Sequence, residues 1–224
     1  MPNTSLKDRV RNLLEEGTLE DIAELAKVRK RVLGSLVALT FDSDPQVVWR
    51  AIEAMGMAVE ALAPSHPQYV REHMRRLYWL ITEESGGVFW RAPECMAECA
   101  ARLPKFFESH VPIAFHLLET LEEEDLEHFR PGAIWAIGRL FNVAGDDLPG
   151  VLPLVAEALD RTDPQARGMA VWCLGVVGEV EEVGGRPGLL EDEGIVQRYR
   201  NRTLEETTVG RLAREVLEEA AHRV

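Results

Sequence analysis

Two stretches of the chain set a tryptophan beside an arginine and place an acid four residues after the tryptophan. They are Trp49-Arg50-Ala51-Ile52-Glu53 and Trp90-Arg91-Ala92-Pro93-Glu94. Indole and guanidinium groups dominate the energetics of protein-binding surfaces. A carboxylate held against an apolar wall can orient a basic group or donate a proton. Cys95 and Cys99, spaced by four, could chelate a metal from one helical turn. The same helical phase puts both on an apolar face with Ala92, and Cys173 faces inward by the same count. No third and fourth ligand stands at a recognisable spacing. The thiols therefore read as small buried hydrophobes, and neither a metal nor another cofactor is expected.

These groups sit in a pattern that recurs. Ala51, Ala92, Ala133, Ala170 and Ala213 follow one another at intervals of 41, 41, 37 and 43 residues, the last copy being the weakest. A period of about 40 residues without strand signals points to stacked helix pairs. The segments between anchors supply the first helix of each pair. Ile22, Leu25, Val28, Val32 and Leu36 fall at helical spacing, as do Val70, Met74, Leu77 and Ile81. Asp44 and Asp163, each followed by Pro-Gln, predict helix caps with proline in the first turn. Pro93 and Pro131 predict late starts or kinks in the second helices that contain them.

"DSDPQVVWRAIEAMG" and "RTDPQARGMAVWCLG" resemble HEAT repeats, in particular the short bacterial type also found in phycobilisome-lyase-like proteins. The resemblance covers roughly residues 20–180. It implies an all-α fold: a solenoid of about five helix pairs in a right-handed superhelix, forming a single domain over residues 1–224. The approximate repeats are 1–63, 64–104, 105–145, 146–183 and 184–224, and residues 203–224 read as a closing helix. The role it implies most often is a protein-interaction scaffold. HEAT-like enzymes that oxidise a modified lysine bind two irons through His-Glu dipeptides, whereas this chain has only the reversed pairs Glu72-His73 and Glu127-His128.

At about 100° per residue, Val47, Ala51, Ala54 and Met55 form a core stripe, and Trp49 and Glu53 fall on the opposite side. Trp90 and Glu94 take the same places one repeat later, while Trp135 and Trp172 replace the acid in the third and fourth repeats. In solenoids of this type the second helices line the concave side. Four half-exposed indoles would present about 300–500 Å², the size of a functional patch on an ordinary monomer. The alternative for each ring is sideways packing against the adjacent repeat. For Arg50 and Arg91 the alternative is a cap on a neighbouring carbonyl.

The expected function is a non-catalytic scaffold that holds a protein or peptide on this tryptophan-lined concave face. Its contacts would be Trp49, Arg50, Glu53, Trp90, Arg91, Glu94, Trp135 and Trp172. The competing reading closes the same groove around a planar, tetrapyrrole-like small molecule, either as a binder or as a lyase-type enzyme with Glu53 or Glu94 as proton donor. No residue is singled out as catalytic.

Charge narrows the partners. Of 224 residues, 25 are basic and 38 acidic, a net charge of −13. That field repels polyanions, so neither nucleic acid nor an anionic membrane surface is expected. The local basic run "QRYRNR" is expected to pair with neighbouring acids. Three cysteines without framework spacing, no secretory leader and no long uncharged apolar run point to the cytoplasm. Oligomeric state is not legible.

Overall fold

Asp44 and Asp163 each open a helix in the same way. The Asp44 carboxylate accepts from the Gln46 N–H at 2.8 Å. That of Asp163 accepts from the N–H groups of Gln165 and Ala166 at 3.0 and 3.3 Å. In both, proline occupies the first turn, where no intrahelical donor is needed. The computed structural model describes residues 5–82, 91–107, 111–123, 127–143 and 148–222.

The chain divides into two compact units. One comprises Met1–Glu108 with Tyr199–Leu204, the other Ser109–Arg198 with Glu205–Val224. In the first unit α1 (Leu6–Glu16), α2 (Leu19–Val28), α3 (Val32–Leu39), α4 (Pro45–Leu62), α5 (Pro67–Thr82), α6 (Ala92–Arg102) and the single turn α7 (Pro104–Phe107) follow in order. In the second, α8 (Val111–Glu123), α9 (Arg130–Arg139), α10 (Leu148–Glu157), α11 (Pro164–Val177) and α12 (Val180–Gly184) come first. A hairpin of β1 (Ile195–Arg200) and β2 (Thr203–Thr208) then leads into α13 (Val209–Ala221).

The five anchor alanines explain the repeat. All lie on second helices or on α13, and each is at most 1% exposed. A side chain as small as a methyl group at these places lets neighbouring helices approach closely. In the first unit α4 packs on α6, and in the second α9 packs on α11 and α11 on α13. The first helices α3, α5, α8 and α10 back onto α4, α6, α9 and α11. The fold is an all-α repeat solenoid. As the prolines predicted, α6 and α9 start late, with Pro93 and Pro131 in their first turns.

Two expectations are corrected. The first helix expected through Ile22, Leu25, Val28, Val32 and Leu36 is broken at Arg29, whose backbone leaves helical geometry, so that α2 and α3 are separate. The stretch 203–224 is not one helix, because Thr203–Thr208 forms β2 and the helix starts at Val209, with the Thr208 hydroxyl accepting from the Arg211 N–H. The β-branched threonines favour extended backbone. Asn201 and Arg202 both take positive φ, 50° and 63°, as a two-residue hairpin turn of matching twist requires.

Candidate functional site

The site is built on the first half of α4. Trp49 and Glu53 lie one turn apart on one face, with Gln46 one turn earlier. Against this face lies the hairpin tip of the same unit, Tyr199–Leu204. The rings of Tyr199 and Trp49 are stacked, with centroids 5.6 Å apart and planes 12° from parallel. The Tyr199 hydroxyl donates to Glu53 Oε2 at 2.6 Å. Burial, then the Glu53 hydrogen bond and its charge, push the phenol's pKa up.

The tip's main chain is held as closely as its side chains. The Gln46 carboxamide donates to the Arg202 carbonyl at 2.9 Å and accepts from the Leu204 N–H at 2.8 Å. Arg50 Nε donates to the same Arg202 carbonyl at 2.9 Å. Its other nitrogen caps the end of α1 through the carbonyls of Leu14 and Glu15, at 2.7 and 2.8 Å. The Arg202 guanidinium pairs with Glu20, holding that carboxyl below its usual range, and approaches Glu53 at 3.6 Å. At the start of α6, the Arg91 guanidinium lies 5.4 Å from the centre of the Trp49 ring and donates to Glu94 at 2.9 Å.

Five of the residues chosen from the sequence are therefore brought together in the first unit: Trp49, Arg50, Glu53, Arg91 and Glu94. The expectation that the rings stand open to solvent is corrected. Trp49 is 6% exposed because the chain's own hairpin covers it, and Glu94 is buried beside Arg91. Trp135 is 9% exposed. It stacks on the half-buried Trp172 at 6.3 Å and 12°, the sideways packing between repeats that was the alternative reading. The Trp172 ring occupies the space that a side chain on Gly138 would need, with Cζ3 2.5 Å from where a Cβ would stand. Trp90 lies outside the described residues.

The second unit repeats the main-chain hold. Gln165, third in its Asp-Pro-Gln like Gln46, donates to the carbonyl and accepts from the N–H of Gln197, both at 2.8 Å. Gly168 stands at the place in α11 that Trp49 holds in α4, and Val196 fills it. The Val196 methyls lie 2.5 and 2.7 Å from where a Gly168 Cβ would be. Arg198 pairs with Glu215 at 2.8 Å and Glu205 at 3.7 Å, and Arg167 with Asp192 at 2.7 Å. Of the basic run, Arg198 thus finds acids here and Arg202 finds Glu20 and Glu53 in the first unit.

Sequence reasoning missed Gln46, Gln165, Glu20, Tyr199 and Arg202 as site residues. The signal was the repeated Asp-Pro-Gln, read only for its cap. The cysteines are buried, as expected; burial lifts the Cys95 and Cys99 thiols well above their ordinary range and Cys173 to about 12. Among the described residues, no group of three or more His, Cys, Asp or Glu is arranged to hold a metal. Among the same residues, no helix is long and apolar enough to cross a membrane.

No protein-family model matches the chain. An uncharacterised protein of Archaeoglobus fulgidus is 25% identical over 186 residues, spanning 82% of this chain and 94% of that one. Among solved structures, an engineered protein from the Northeast Structural Genomics Consortium aligns with a TM-score of 0.50 at 16% identity, covering 96% of this chain and 97% of that chain. A designed armadillo repeat protein aligns at 0.48 and 19% identity, covering 96% and 100%. The likeness to the engineered protein is one of fold, and function does not follow from fold.

Proposed function

We propose that this chain is a non-catalytic scaffold of HEAT-like repeats that holds an extended segment of a partner protein against the opening turns of its second helices. One observation carries the reading. In α4 and again in α11, the glutamine of Asp-Pro-Gln binds main chain of the hairpin through both edges of its carboxamide, at the turn residue Arg202 with Leu204 and at Gln197 of β1. A side chain that satisfies peptide groups is a means of holding chain rather than of transforming a substrate. Trp49, Arg50, Glu53, Arg91 and Glu94 supply an aromatic platform, basic donors and acidic acceptors around the first of these glutamines.

The test is selection of a displayed random-peptide library on the full chain. Enriched peptides are expected to bind saturably, and to weaken at least about tenfold when Gln46→Ala or Gln165→Ala removes a main-chain hold. Circular dichroism would verify that each variant stays folded. Failure to enrich any sequence, or enrichment indifferent to both substitutions, rejects the reading.

A further inference from the structure

We propose that the turn Tyr199–Leu204 is an internal occupant of a turn-recognition site on α4. A partner presenting an aromatic residue and an arginine across a β-turn would bind that site by displacing it. The inference rests on the scaffold reading above and names the chemistry of the partner.

The tip behaves as a ligand of the first unit. That unit is otherwise one continuous stretch, Met1–Glu108, with its own core: Leu14, Leu19, Ile22, Leu33, Leu36, Leu39, Ile52 and Met55 are all at most 1% exposed. To this the tip adds one ring and a set of polar contacts. The Tyr199 phenol reaches Glu53, the Arg202 guanidinium reaches Glu20 and Glu53, and two main-chain groups reach Gln46 and Arg50. Contacts of this kind exchange readily with water or with another donor. The Glu20 and Glu53 side chains remain 63% and 21% exposed, so a competing cation can approach them.

The turn itself is compromised in favour of recognition. Its second central residue, at φ 63°, is a place where glycine is strongly preferred, yet it is arginine. Backbone strain of this kind persists where a side chain has a task, and here the task is the pair of carboxylates. A partner whose arginine sits on relaxed backbone would make the same contacts without that strain. The net charge of −13 favours the approach of such a basic segment.

The experiment uses the full chain and a synthetic peptide of residues 195–208, labelled and closed by a terminal disulfide so that its turn is preformed. Binding is read by fluorescence anisotropy. In the chain, Arg202→Gly creates the favoured Asn-Gly turn, so the hairpin persists, but its hold on Glu20 and Glu53 is gone. The peptide is expected to bind this variant at least about tenfold more tightly than the wild-type chain, because the competing occupant is weakened. Glu53→Gln in the same background is expected to abolish the gain. Tyr199→Ala, which weakens the occupant from its other side, must act as Arg202→Gly does. Equal affinity for wild type and both variants, no binding to any of them, or indifference to Glu53→Gln overturns the proposal. Selected library peptides that bind through Gln46 and Gln165 whether or not the tip is weakened would leave the scaffold reading standing and remove this one alone.

Discussion

Tyr199 lies flat against Trp49 while its hydroxyl donates to Glu53, one helical turn further along α4. One side chain is thereby held by dispersion over its face and by a charge-assisted hydrogen bond at its tip. The two contributions are separable by mutation. A stacked aromatic pair is worth about 0.5–1.5 kcal/mol beyond the area it buries, and a hydrogen bond to a carboxylate about 1.5–3 kcal/mol.

Tyr199→Phe keeps the ring and removes the bond, so chemical unfolding should show a loss of about 1.5–3 kcal/mol. The phenol's folded pKa is raised, so the folded state retains its proton where the unfolded state loses it. Stability should therefore fall as the pH rises above the ordinary tyrosine value of 10.0. The difference between wild type and Tyr199→Phe should shrink over that range. A constant difference would mean that the hydroxyl is not held as described.

Gly168→Ala should destabilise the chain by about 1–3 kcal/mol. The added methyl would stand 2.5–3.1 Å from three carbons of Val196, whose branched side chain offers no free end to rotate away. Shortening the obstacle in a Gly168→Ala, Val196→Ala double variant should recover part of that loss. Thermal unfolding of the two single variants and the double variant measures the coupling, and strictly additive effects would contradict the contact.

Much of this fold was legible because its strongest signal is periodic. Five alanines at nearly even spacing report the one demand every repeat shares, close helix approach, and all five are buried where that demand predicts. The caps at Asp44 and Asp163 were legible for the same local reason. What escaped was set by tertiary contact. Helical phase puts Trp49 away from Val47, Ala51, Ala54 and Met55, but phase cannot say that a segment from far along the chain, the Tyr199 turn, returns to cover it. The hairpin was hidden because Thr203–Thr208 alternates weakly and its turn is Asn-Arg in place of Asn-Gly. The local pattern thus understates a structure that Glu20, Glu53 and Gln46 stabilise from outside.

His73 predicts an acid sensitivity of the first unit. Its ring is 8% exposed on α5, with Nε2 buried without a partner, beside a cavity of about 310 Å³ lined by Val37, Tyr69 and Leu77. Burial, and secondarily the charge of Arg76, hold its pKa down at about 4. The unfolded state, with the ordinary value of 6.5, binds the proton first. The contribution of this group is therefore flat above about pH 6.5 and turns against the fold as the pH drops toward about 4, by up to about 3 kcal/mol. Urea titrations across that range should show the slope in wild type and its loss in His73→Phe. An unchanged slope would assign the acid sensitivity elsewhere.

The three thiols should be inert in the folded chain. Cys95, Cys99 and Cys173 are at most 2% exposed, and burial raises the pKa of each, so thiolate is scarce at about pH 8. A chromogenic disulfide reagent should titrate none of them on the timescale of a free thiol, and all three once strong denaturant is added. Rapid reaction of any one in the native chain would place it at the surface.

The paired carboxamides of Gln46 and Gln165 have a consequence for how this chain can diverge. An amide edge matches a peptide group whatever residue carries it, so positions 197 and 204 owe their attachment to backbone alone. Either can change its side chain without loosening that grip, proline excepted, since it brings no hydrogen on nitrogen. Homologous strands can thus drift in composition while remaining tethered. The durable imprint of the arrangement would be two glutamines, each behind an aspartate and a proline.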